Sequence, residues 1–154
     1  KKRFLRLKLM IRKKKMNYKI VAKYIKKLDF GIPSPKTFFL LEKNISKYKI
    51  NIDIKSNSVK KRIIEIETSL SLRPISDDFE KIETEIIHST IIEIEEGTSN
   101  KEELEKIILI KIPSEIYSDI RESFVFLFEK SGFKNIKIDK SVDFENLYKE
   151  KRIQ

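Results

Sequence analysis

Ile64-Glu65-Ile66-Glu67-Thr68-Ser69-Leu70-Ser71-Leu72 alternates without a break. Ile64, Ile66, Thr68, Leu70 and Leu72 fall on one face, with Glu65, Glu67, Ser69 and Ser71 on the other. That is the two-residue period of a strand with one buried and one wet face. Upstream, Tyr48, Ile50, Ile52 and Ile54 share a face of a second strand, and Ser56-Asn57-Ser58 is the expected turn joining the two. Further upstream the stretch 18–30 sets Ile20, Ala22, Tyr24, Leu28 and Phe30 against Lys19, Lys23 and Lys27, with Lys26 interrupting the apolar side. Gly31-Ile32-Pro33-Ser34-Pro35 ends that strand, because proline removes ladder donors and glycine accepts turn dihedrals. Phe38-Phe39-Leu40-Leu41 then forms a short apolar stretch within the connecting loop.

Downstream, Arg73-Pro74-Ile75-Ser76-Asp77-Asp78 is a turn into a less regular fourth strand, roughly 79–95. Ile82, Ile86, Ile92 and Ile94 face one way and Ile87 and Ile91 the other, so both faces of this strand need cover. After Gly97 the spacing becomes helical. Ser99 and Glu102 have capping-box spacing, and Leu104, Ile107 and Ile108 form the apolar stripe. Ile112-Pro113 is expected to break this helix and open the next, roughly 114–130, on which Ile116, Ile120, Phe124, Leu127 and Phe128 recur three and four apart. Gly132 is placed to stop it. Ser141 or Asp143 can cap a last helix carrying Phe144, Leu147 and Tyr148. The expected fold is α+β, a four-stranded antiparallel sheet packed against C-terminal helices, in one domain.

The formal charge is +10, but nine basic residues and no acid lie within residues 1–15. The remainder carries 25 basic against 24 acidic side chains, too balanced for a field that steers toward phosphate. Residues 1–15 are too interrupted by charge to span a membrane, and they lack the uninterrupted apolar stretch and small-residue cleavage site of a signal peptide. They read as a basic extension, disordered or not native, ahead of a start at Met16; an arm that touches nucleic acid or membrane is the alternative. The chain has no cysteine, which excludes disulfides and thiolate chemistry and suits a reducing cytoplasm.

Little supports enzyme chemistry. His88 is the single histidine, and without cysteine a metal site has few ligands to draw on. Glu65/Glu67 and Glu93/Glu95 pair carboxylates on one strand face, as alternation across a wet sheet also does. Three scattered glycines cannot form a phosphate-cradling loop. The expectation is no catalytic residue, no metal and no cofactor. What stands out is surplus apolar material: Phe38, Phe39, Phe126, Tyr117, Ile87 and Ile91 lie off the faces that a monomer core needs. A small core wrapped by irregular segments would use them up. An oligomer interface and a groove for apolar segments of another chain would too.

Three stretches resemble the SecB family of export chaperones. One is KYIKKLDFGIPSPK from Lys23 to Lys36, with its closely spaced Pro33 and Pro35. The second runs from Pro113 to Phe133, with Arg121-Glu122 inside the helix and Gly132-Phe133 at its stop. The third is Val142-Asp143-Phe144-Glu145-Asn146-Leu147-Tyr148. The resemblance implies a cytoplasmic homotetramer, a dimer of dimers built through the long helices and sheet edges, with Phe124, Phe126 and Phe128 at the interface. It implies ATP-independent holding of unfolded or precursor polypeptides in hydrophobic grooves lined by Phe38, Phe39, Leu40 and Leu41 and by Ile110, Ile112, Ile116 and Tyr117. It also implies delivery to the SecA motor. Of the acidic docking positions, one falls on Glu85 but two match Lys27 and Gly31, and Lys27 reverses the charge. A SecB-like chaperone dedicated to an antitoxin or another specific client, and a non-chaperone adaptor, are the alternatives. Neither nucleic acid nor stable membrane insertion is expected.

Overall fold

The computed structural model describes residues 17–80, 82–96, 100–134 and 136–153. The expected extension 1–15 and the Ser99 end of the capping box lie outside the described residues. The elements are β1 (Tyr18–Gly31), α1 (Pro35–Asn44), β2 (Tyr48–Lys60), β3 (Ile63–Pro74), β4 (Glu83–Ile94), α2 (Lys101–Lys106), α3 (Ile112–Lys130) and α4 (Phe144–Ile153). A 3-10 turn, Ile45–Lys47, joins α1 to β2, and a π-helical turn, Ile107–Lys111, joins α2 to α3. The sheet has the order β1-β4-β3-β2 and every pair is antiparallel. The expected α+β plan of sheet and C-terminal helices is therefore the observed one, with β1 and β2 at the edges.

On β3, Ile66, Thr68, Leu70 and Leu72 are buried, as their alternation requires. Two details of the strands differ from expectation. Ser56, Asn57 and Ser58 are not a turn: they pair with Ile66, Glu65 and Ile64, and the hairpin closes later at Lys61-Arg62, where Arg62 takes φ +66°. Strand pairing on the long β3 overrides the turn preference of three small polar residues. In β1, register shifts between Ile20 and Ala22 and between Ile25 and Lys27 insert two bulges. Each bulge flips the side-chain parity. Ile20, Leu28 and Phe30 thus keep the inner face, while Ala22 and Tyr24 turn outward and Lys23 and Ile25 turn inward toward α3.

The apolar stretch 38–41 lies in a helix, not in a loop. Ser34 Oγ accepts from the Thr37 amide at 3.1 Å and Pro35 occupies the first turn, so the prolines that end β1 also start α1. The expected break at Pro113 is likewise absent. The Ile112 amide donates to the Ile107 carbonyl, an i to i−5 bond that widens the helix where the proline ring would otherwise clash. Asn100 caps α2, its side-chain oxygen accepting from the amides of Glu102 and Glu103.

Ile112, Ile116, Ile120, Phe124 and Phe128 recur every four residues and are fully buried against the sheet. Each such side chain contributes roughly 1.5–3 kcal/mol by leaving water. The helix ends in a Schellman motif: the Phe133 amide reaches the Phe128 carbonyl, and the Gly132 amide the Glu129 carbonyl, with Gly132 at φ +100°. Phe133 then packs its ring 5.6 Å from Phe128 and 4.8 Å from Phe38, which fastens α1 to the end of α3.

Candidate functional site

From Ile136 to Asp143 the chain runs back along α3 without helix or strand. Two bonds tie it down: Tyr117 Oη donates to the Asp139 carbonyl at 2.6 Å, and Arg121 Nε to the Ile138 carbonyl at 3.0 Å. Asp143 Oδ1 accepts from the Asn146 amide at 2.9 Å and starts α4, and Tyr148 Oη reaches Glu105 at 3.1 Å. Facing this return segment is the edge strand β2 with the 3-10 turn before it. The two do not meet. They leave an open groove of about 780 Å³, with Ile45, Tyr48, Ile50 and Ile52 on one side and Ile136, Ile138, Val142 and Leu147 on the other. Leu72 and Tyr117 also line it. A second hollow of about 340 Å³, lined by Glu42, Gly132, Phe133 and Lys134, shares Ile45 and Ile136 with the first and extends the groove past the end of α3.

The polar groups at the groove are anchors. Burial pushes the Tyr117 hydroxyl above its ordinary value, and burial with the nearby Glu80 carboxylate does the same to Tyr48. Both stay neutral donors, Tyr48 to the Glu80 carbonyl at 2.6 Å. Among the described residues no group of three histidines or acids could hold a metal ion. His88 lies between Ile25 and Thr68 on the helix side of the sheet, and burial lowers its pKa.

Of the groove residues expected from sequence, Tyr117 lines the groove directly. Leu41, Ile112 and Ile116 are core side chains and do not line it. Phe38 holds α1 against Phe133, Phe39 and Leu40 are exposed on the outer side of α1, and Ile110 sits half-buried in the π turn. The residues that sequence reasoning did not single out are Ile136, Ile138 and Val142. Their signal was an apolar alternation between the Gly132 stop and the Asp143 cap.

Phe124 and Phe128 are core residues, whereas Phe126 is 55% exposed. It lines a smaller cleft of about 350 Å³ between α3 and the edge strand β1, together with Ile25, Leu28 and Leu127. On the opposite face of the sheet, Glu85 accepts from Ser69 Oγ at 3.1 Å and lies 3.8 Å from Lys27 Nζ. Lys27 also pairs with Asp29 at 2.9 Å, so the cation at this position is engaged by its own sheet face. Beside it, Lys26 on the second bulge pairs with Glu65 at 2.8 Å and with Glu67 at 2.5 Å.

The geometry is a sheet covered on one side by helices, with an open groove beside the edge strand β2. The family described as preprotein translocase subunit SecB matches residues 12–154. A putative protein-export protein SecB of Pelagibacter ubique is 40% identical over 135 residues, covering 88% of this chain and 96% of the relative. The chain belongs to the SecB family, and its general function is that of a SecB-like chaperone. Among solved structures, the Mycobacterium tuberculosis SecB-like chaperone in complex with a peptide from the HigA1 antitoxin superposes with a TM-score of 0.59 at 14% identity. The match covers 90% of this chain and 92% of that one, and shows a shared fold. No helix among the described residues is long and apolar enough to cross a membrane.

Proposed function

We propose that this protein is an ATP-independent holdase that keeps unfolded or precursor polypeptides from aggregating by taking their apolar segments into the groove beside β2. The observation that carries this reading is the groove itself. Its walls bring together Ile45, Tyr48, Ile50 and Ile52 from one segment and Ile136, Ile138, Val142 and Leu147 from another, with polar side chains such as Asn51 and Lys137 among them, which suits chains of many sequences. Holding needs no nucleotide on this reading, because the driving force is burial of apolar surface.

Assembly as a homotetramer, a dimer of dimers, fits the other exposed apolar strip. Ile25, Leu28 and Phe126 lie together where α3 meets the edge strand β1. An exposed edge strand beside apolar residues is a template for pairing with a second copy. The proposed working form consists of residues 16–154, in the cytoplasm, with residues 1–15 dispensable.

Delivery to SecA through Glu85 is the finer possibility. A second reading, a SecB-like chaperone dedicated to an antitoxin or another specific client, is favoured by one observation. Lys27 stands where the resemblance places a docking acid, and it lies against Asp29 and Glu85. That leaves a weaker acidic field on this face for a basic partner.

Hydrogen exchange of the protein with and without a permanently unfolded client tests the groove. Slowed exchange at residues 45–52 and 136–147 is expected. Unchanged exchange there, with protection confined to other surfaces, would remove the groove from the mechanism.

A further inference from the structure

We propose that His88 is a proton-operated latch between the edge strand β1 and α3: neutral, it lets the seam close, and protonated, it opens it. On the helix side of the sheet three buried polar atoms have no hydrogen-bond partner among the described residues: His88 Nδ1, Thr68 Oγ1 and Thr90 Oγ1. They belong together. Thr68 sits directly across from His88 on β3, and Thr90 is two residues along β4 on the same face. Thr68 is 2% exposed and Thr90 0%. Buried polar groups are nearly always paired, so three neighbours that are not mark a place held closed against its own hydration. Charge reaches the cluster from two elements. Lys23 comes from β1, opposite Thr90, and Asp119 from α3, and the two pair at 3.8 Å. Glu115 and Glu122 flank Asp119 on α3; the Tyr18 hydroxyl donates to Glu115, and Glu122 lines the cleft at Phe126. β3 brings only the Thr68 hydroxyl, since Glu65 and Glu67, like Glu85 and Glu93 of β4, belong to the opposite face.

The ends of the seam are held otherwise, by Tyr18 with Glu115 at one end and by the Phe30 ring, 5.1 Å from Phe128, at the other. Its middle rests on the Lys23–Asp119 pair. Burial lowers the proton affinity of His88 most; Asp119 raises it and Lys23 lowers it. A proton on His88 therefore sets a second cation beside Lys23, with one carboxylate between them. The charged ring draws on Asp119 or on water, and either way the Lys23 clasp slackens. Water entering the seam also satisfies the two threonine hydroxyls. Ile25, directly opposite His88, carries the opening to the exposed strip of Leu28 and Phe126. The closed seam holds the neutral ring, so opening sets in below the ordinary histidine value, about 6.5, and grows by up to about tenfold per pH unit for one proton taken up.

Hydrogen exchange of the full-length protein from about pH 7.5 to about pH 5 tests the latch, with the amides of β2 as the internal reference for the pH dependence of exchange itself. Protection at residues 22–28 should fall about tenfold relative to residues 48–58 as the pH is lowered. In Lys23→Met the fall should begin at higher pH, because the opposing cation is gone. In Asp119→Asn it should begin at lower pH, because the attracting carboxylate is gone. His88→Gln should keep the two regions at a constant ratio throughout. A constant ratio in the unmodified protein overturns the inference. So does a fall that persists in His88→Gln, or one whose midpoint stays put in both charge variants. Should His88→Gln not fold, the opposite midpoint shifts of the two charge variants decide alone.

Discussion

Gly132 is held at φ +100° in the Schellman motif, and a Cβ there would meet the Phe38 ring at 3.2 Å. Gly132→Ala meets both obstacles, a left-handed backbone and a ring that anchors α1. It should cost about 1–3 kcal/mol in urea denaturation, chiefly through the strained backbone. Tyr117 offers a milder probe. Tyr117→Phe keeps the ring against Phe144 and removes the bond to the Asp139 carbonyl, so it should lose about 1 kcal/mol and loosen the return segment that walls the groove. Tyr117→Ala is a poor groove variant by comparison, because this side chain is only 5% exposed and its loss would empty part of the core. His88 carries the pH dependence near neutrality. Burial lowers its pKa in the folded chain, so the unfolded chain takes up the proton first as pH falls. Folding stability should therefore decline from the ordinary histidine range, about 6.5, down to the lowered folded-state value. Denaturation midpoints at pH 8 and pH 5.5 should differ in the parent and converge in His88→Gln. Glu65 acts at lower pH: bonds from Lys26 and Ser89 hold its carboxyl below the usual value, and that stabilisation is lost only as the carboxylate protonates.

At the scale of elements, the sheet-and-helix plan was legible because burial enforces period. β3 alternates since one of its faces is dry, and α3 repeats every four residues since one stripe meets the sheet. What the sequence concealed were places where neighbouring forces outweigh local preference. Two bulges in β1 send Tyr24 outward to Glu65 and turn Ile25 inward, and no residue in 18–31 announces a parity change except Lys26 among apolar neighbours. Pro113 reads as a helix break, yet a π turn absorbs it. Phe38 to Leu41 read as loop because Pro33 and Pro35 look like a stop, although Ser34-Pro35 is also a helix start. The groove was half visible. Its β2 wall follows from the alternation of Tyr48, Ile50 and Ile52, whereas its other wall exists only because Tyr117 and Arg121, far away in sequence, hold the carbonyls of residues 138 and 139. The exposed strip between β1 and α3 carries its own prediction. Phe126→Glu should shift the protein to a smaller species in light scattering while leaving its unfolding midpoint nearly unchanged, as expected for a residue outside the core. An unchanged mass would place the assembly surface elsewhere.

At the scale of the molecule, the proposed function divides the two apolar exposures: one edge of the sheet for copies of the chain, the other for its clients. Leu147, exposed on α4 at the groove wall, tests that division. Leu147→Glu should weaken client holding with a stability change within about 0.5 kcal/mol, and should leave the oligomer intact. The measurement that bears most directly on the whole account is suppression of aggregation of a slowly folding client, without ATP, followed by size-exclusion light scattering of the mixture. The account predicts a tetramer that keeps the client soluble and co-elutes with it. A monomer or dimer that leaves aggregation unchanged and elutes alone would contradict it.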